Sequence, residues 1–102
     1  MADFSQITII GNVGRPPELR ETNGGVPVMD FTLGARPLGQ KQTLWYKVTV
    51  WGEEAVRIYE NVEKGDRLLV QGTPMLDVWR DPRSGEARAQ ICLQTGTVLY
   101  DQ

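Results

Sequence analysis

Histidine is absent from the 102-residue chain, and cysteine occurs once, as Cys92. The first absence excludes imidazole general bases and histidine metal ligands. A single cysteine excludes an intramolecular disulfide and a Cys/His zinc cluster. Within "QICLQ", among strand-like residues, Cys92 reads as a small buried hydrophobe and not as a reactive thiol. No apolar run approaches the roughly 20 residues of a membrane span. The opening "MADFSQ" lacks the charged segment and apolar stretch of a secretory signal. No GxxxxGK[ST] phosphate loop occurs, and "GNVGRP" lacks the strand–helix context of a dinucleotide site. The carboxylates are dispersed or line one helix face. No catalytic constellation, cofactor, metal or small-molecule substrate is therefore expected; the chain reads as a binding protein.

Positive charge is also scarce, with 11 Lys and Arg against 13 Asp and Glu. The deficit is local. Residues 53–66 hold five acids (Glu53, Glu54, Glu60, Glu63, Asp66) and two bases (Arg57, Lys64), leaving nine bases against eight acids elsewhere. The rest of the surface has room for a basic groove without demanding one.

What the chain does have is alternation. Residues 6–13 place Ile7, Ile9 and Val13 on one strand face, and residues 26–36 do the same with Met29, Phe31, Leu33 and Ala35. Between them, "GRPPELRETNGG" reads as a loop, broken by prolines and an Asn-Gly-Gly turn. The third strand, "TLWYKVTVWG" at 43–52, turns Leu44, Tyr46, Val48 and Val50 inward and Trp45, Lys47, Thr49 and Trp51 outward. A helix follows, with Ala55, Ile58, Tyr59 and Val62 as its apolar stripe, Glu53 and Glu54 in its first turn, Lys64 in its last and Gly65 as its cap. A fourth strand at 67–80 has Leu68, Val70, Leu76 and Val78 in phase and a bend at Gly72 and Pro74. "DPRSGE" is a hairpin tip, and a fifth strand at 87–100 turns Ala87, Ala89, Ile91 and Leu93 inward.

Three strands, a helix and two strands is the layout of an OB-fold, a five-stranded Greek-key barrel with one helix between the third and fourth strands, in an all-β protein of one domain. An α+β sandwich of the same elements is the alternative. In the barrel reading all three tryptophans, Trp45, Trp51 and Trp79, lie off the core, beside Lys47, Arg80, Arg88 and the outward Gln71, Thr73, Gln90 and Gln94. Trp45 and Trp51 are roughly 20 Å apart along a strand rising about 3.3 Å per residue, a span suited to roughly three extended nucleotides. Aromatics interleaved with cations suit single-stranded nucleic acid, and a subunit interface would use outward aromatics equally well.

"IIGNVGRPPELRETNGG", "LWYKVTVWGEEAV…VEKGDRLLVQG" and "VWRDPRSGEAR" together, in order and spacing, resemble the bacterial and mitochondrial single-stranded DNA-binding proteins over nearly the whole chain. The resemblance implies an OB-fold that binds single-stranded DNA without sequence preference in replication, recombination or repair. It implies a homo-oligomer, with a tetramer favoured over a dimer, and a cytoplasmic, nucleoid-associated or organellar location. It places base stacking at Trp45, Trp51 and Trp79 and a cation at Lys47. With Arg36, Arg80 and Arg88, these form the expected nucleic-acid-binding set. Tyr46 falls at an oligomer-contact position, and Ile10, Val26 and Val28 are outward apolar residues available for subunit pairing. Three departures stand out. The loop "RPLGQKQT" is short and lacks a further tryptophan, and Gln6, Glu53, Met75, Asp77 and Val78 replace bases common in the family. The sequence stops at Gln102, where bacterial members continue into an acidic-tipped tail, so the tail is either outside this sequence or naturally missing. These departures keep open an accessory interaction module, and RNA uses the same stacking physics.

Overall fold

The computed structural model describes residues 3–100, the side chains at 95 and 96 excepted. Its elements are β1 (Ile7–Val13), β2 (Glu18–Glu21), β3 (Pro27–Ala35), β4 (Leu44–Trp51), α1 (Glu53–Asn61), β5 (Arg67–Arg80) and β6 (Ala87–Tyr100). Five of the strands close into a barrel in the order β1-β5-β6-β4-β3, with β3 returning to β1 through Asn12↔Gly34 and Val13↔Leu33. All neighbouring pairs are antiparallel except β4 and β6, which run parallel from Lys47↔Cys92 to Val50↔Thr95.

The sixth strand, β2, was expected to be loop. Its four residues "ELRE" are all exposed and carry no apolar alternation, so the sequence offers no strand signal there. Pairing with β3 makes it a strand, from Glu18↔Asp30 to Glu21↔Pro27. The Asn-Gly-Gly turn sets that register. Gly25 has φ +80°, a conformation that a residue with a β-carbon rarely adopts, and its N–H donates to the Thr22 carbonyl.

The core is built from Ile9, Val13, Met29, Phe31, Leu33, Val48, Val50, Leu68, Val70 and Leu93, closed at one end by Ala55, Ile58 and Val62. Each such aliphatic or aromatic side chain contributes about 1.5–3 kcal/mol on burial. The helix is shorter than its pattern. It ends at Asn61, and Val62 is already extended (φ −96°, ψ 131°), its N–H donating to the Ile58 carbonyl. Lys64 and Gly65 therefore lie beyond the last turn, and Tyr59 is exposed. Instead of capping the helix, Gly65 ties the turn to the barrel by donating to the Val13 carbonyl at 2.8 Å.

Two other expectations are corrected. Leu76 (69% exposed) and Val78 (62%) are not core, and neither are Ala87, Ala89 and Ile91. They share a strand face with buried Leu93, since Leu76 pairs with Ile91, Val78 with Ala89 and Pro74 with Leu93. Past Met75↔Cys92, however, where β6 leaves β4, β5 and β6 run on as a two-stranded arm. Alternation reports which side a residue faces, and the arm has no third strand there to cover that side. Leu44, at the start of β4, is also exposed: it pairs with Ala35 but precedes the β4–β6 pairing, which begins at Lys47.

Conversely, Val28 (0% exposed) and Thr49 face outward yet are buried. Val28 lies across from Trp51 on one side and Arg20 on the other. Thr49 Oγ1 donates to Asp30 Oδ1 at 2.8 Å, and Arg20 Nε donates to Asp30 Oδ2 at 3.1 Å. The outer face of β2, β3 and β4 is thus packed in its own right.

Candidate nucleic-acid interface

Beside that outer face, an open groove of about 1050 Å³ runs between the β1–β2 loop, residues 30–32 of β3, residues 44–47 of β4, and the arm. Trp45 and Trp79 both line it, with Lys47 and Gln90. Trp45 comes from β4, Trp79 from β5, so two separate elements supply the aromatic walls.

Trp45 is held by glycines. A β-carbon at Gly14 would stand 2.3 Å from its Cζ3, and one at Gly34 would stand 2.7 Å from the same atom. The β1–β2 loop is pinned beside it: the Gly14 N–H donates to the Thr32 carbonyl at 2.9 Å, and the Arg15 N–H donates to Thr32 Oγ1 at 3.1 Å. The indole is supported against backbone and still 51% exposed, which leaves aromatic surface open to a ligand. Trp79, 43% exposed, sits opposite Arg88 on the arm.

The seven expected site residues divide. Trp45, Lys47 and Trp79 share the groove. Trp51, 45% exposed, is at the far end of β4 and does not line it; its outward face crosses Val28. Arg80 donates to the Gly85 carbonyl, and Arg88 pairs with Asp81 at 3.6 Å and Glu86 at 3.7 Å, so both are engaged in holding the hairpin tip. Arg36 lies away from this groove, in a second hollow.

Sequence reasoning missed Arg15. It lines the groove, and its position directly after the Gly14 that supports Trp45 is the signal that marks it. Among the described residues, the guanidinium of Arg15 and the ammonium of Lys47 have no ion pair or hydrogen bond. Opposing them in the lining are Glu18 and Asp30, so the groove is formally neutral.

Cys92, across from Lys47, is half-buried, and its thiol is pushed up mainly by burial, with Asp77 adding and Lys47 opposing. It is a free cysteine, and only partly buried where its sequence context suggested a buried hydrophobe. No group of three or more His, Cys, Asp and Glu able to hold a metal ion occurs among the described residues, nor does a helix long and apolar enough to cross a membrane.

A closed Greek-key barrel with one helix between β4 and β5, and an aromatic groove beside its outer sheet face, is an OB-fold. The chain belongs to the single-strand binding protein family, whose model matches residues 4–99. It is 32% identical over 107 residues to the single-stranded DNA-binding protein of Paenarthrobacter aurescens, an alignment spanning 96% of this chain and 62% of the relative. It is 30% identical over 97 residues to single-stranded DNA-binding protein 1 of a Synechocystis strain, covering 92% and 80%. Against single-stranded DNA-binding protein 2 of a Nostoc strain it is 26% identical over 96 residues, covering 93% and 76%. The chain therefore spans 62–80% of the length of these three relatives.

Proposed function

We propose that this protein binds single-stranded DNA without sequence preference, by stacking bases on Trp45 and Trp79 while Lys47 and Arg15 meet the backbone phosphates. One observation carries the reading: two half-exposed tryptophans from different elements line one open groove together with two cations, Arg15 and Lys47, that have no ion pair among the described residues. Each stacked base is worth about 1–3 kcal/mol, whatever its identity. A formally neutral groove makes stacking the main source of affinity. With two phosphate contacts the logarithm of affinity falls with that of salt at a slope of about −1.4, at about −0.7 per neutralised phosphate. Trp51 extends the aromatic surface along β4 as a further platform.

The relatives' names support DNA as the ligand. The role that follows is protection of exposed strands in replication, recombination or repair, in the cytoplasm or an organelle interior and as a homo-oligomer. Quenching of intrinsic tryptophan emission by oligo-dT, at low and at moderate salt, tests the reading. Strong quenching that survives moderate salt supports it.

A second reading has its own observation. Leu76, Val78 and Ile91 form an uncovered apolar face on the arm, which suits an interaction module whose tryptophans are buried by protein. Absence of quenching, with emission already blue-shifted, would favour that module.

A further inference from the structure

Two carboxylates line the groove, Glu18 from β2 and Asp30 from β3, and they stand directly across from each other in the sheet. Like charges so placed are destabilising. Asp30 is compensated: Oδ1 accepts from Thr49 Oγ1 at 2.8 Å, and Oδ2 accepts from Arg20 Nε at 3.1 Å. No such partner meets Glu18. Its side chain is exposed, and among the described residues its carboxylate has no hydrogen bond or ion pair. The fold does not need an acid there either. Main-chain pairing holds β2 to β3 from Glu18↔Asp30 to Glu21↔Pro27, and Arg20 supplies the side-chain tie.

A carboxylate is also the wrong charge for a backbone phosphate. A strand in the groove turns its phosphates toward Arg15 and Lys47, which leaves a base edge to face Glu18. Trp45, Trp79 and Glu18 border one space, so a base stacked on an indole lies beside the carboxylate. In a single strand the Watson–Crick edges are open to hydrogen bonding. An ionised carboxylate only accepts hydrogen bonds, so it selects among those edges. Cytosine presents the N4 amino group, a donor suited to Glu and Asp. Thymine presents the O4 oxygen at the same place, which the carboxylate repels. Stacking itself tolerates either base.

We infer that Glu18 is a specificity residue of the groove: its carboxylate accepts a hydrogen bond from the exocyclic amino group of a stacked base and favours cytosine over thymine. This rests on the proposed stacking of single strands at Trp45 and Trp79. It adds a base preference to a contact in which stacking alone is indifferent.

The test is the ratio of oligo-dC to oligo-dT affinity, measured by tryptophan quenching with probes of about sixteen nucleotides. The unaltered protein is compared with Glu18→Gln and with Glu21→Gln. Glu18 and Glu21 are both exposed on β2, but only Glu18 lines the groove, so Glu21→Gln removes the same charge without the contact. Glu18→Gln is expected to lower the dC/dT ratio about fivefold, the lower end for a good contact between side chain and base. Glu21→Gln is expected to leave the ratio unchanged. A ratio that Glu18→Gln leaves unchanged or raises, with affinity for both probes rising together, overturns the specificity role and leaves the groove reading in place. An equal fall in both variants also overturns it, because the carboxylate would then act through the general field. No quenching of the unaltered protein by either probe would overturn the groove reading and the specificity role together.

Discussion

A β-carbon placed on Gly11 would stand 2.3 Å from the carbonyl oxygen of Gly34. No real β-carbon approaches backbone so closely, so the point where β1 closes on β3 is reserved for a residue without one. Gly11→Ala is expected to force the two strands apart, at a cost of about 1–3 kcal/mol, the range for overpacking. Urea denaturation checks this: the midpoint should fall with the slope of the transition unchanged. An unchanged midpoint would mean the crossing has slack.

Trp45→Ala and Trp79→Ala are each expected to weaken oligo-dT binding by about 1–3 kcal/mol while leaving stability close to that of the parent, because both side chains are half-exposed. Trp51→Ala should behave differently. Its side chain crosses the fully buried Val28, so its removal should lower stability by about 1 kcal/mol, the scale of a cross-strand pair, and affect binding less. Paired titration and denaturation curves separate the two behaviours.

Arg80→Ala and Arg88→Ala are expected to leave DNA affinity nearly unchanged, since both arginines are engaged by the hairpin tip. Exposed ion pairs are worth about 0–1 kcal/mol, so stability should move little either. Lys47→Gln, by contrast, should flatten the salt slope by about 0.7. Arginine variants that matched the lysine variant in slope would contradict the division of the site.

Tyr100 gives stability a dependence on alkaline pH. Its hydroxyl donates to the Asn61 carbonyl and to Asp66 Oδ2, and its pKa is raised, first by burial and then by the charge of Asp66. The folded state therefore holds the proton more tightly than the unfolded chain. The contribution is complete below the unfolded tyrosine value, about 10, and is lost as pH rises from there through the folded value. Denaturation midpoints should decline over that alkaline interval, and Tyr100→Phe should flatten the decline.

Cys92 provides a kinetic counterpart. Burial raises its pKa, so its reaction with a thiol reagent should be slower in the folded protein than in urea, and its rate should rise only at higher pH than for a free thiol. Reaction at the free-thiol rate would show that β6 opens next to Lys47.

The alternation in β1 and β3 was legible because each of those strands has one face wholly on the core, as Ile9 and Val13 or Met29, Phe31 and Leu33 show. Alternation failed where burial depends on what lies beyond the strand. Leu76 and Val78 point to the correct side of an arm that outruns the barrel, and Val28 points outward into a second packed layer. β2 was illegible because it becomes a strand by pairing with β3, a partner contact that leaves no periodic trace in its four exposed residues. Within the site, the tryptophans were visible by phase and Lys47 by spacing. That Arg80 and Arg88 are engaged by Gly85, Asp81 and Glu86 depends on the shape of a turn, which a one-dimensional pattern does not contain.

The parallel seam between β4 and β6 also dictates when the barrel can form during synthesis. Val48 meets β6 only at Leu93, and Ile9 pairs with β5 at Val70, so most of the chain must leave the ribosome before the seam can seal. Until then β4 presents an open edge and the apolar faces of β1, β3 and β5 lack their cover. Proteins whose pairings are this distant fold in about milliseconds to seconds, and for that interval a nascent chain is a substrate for chaperones.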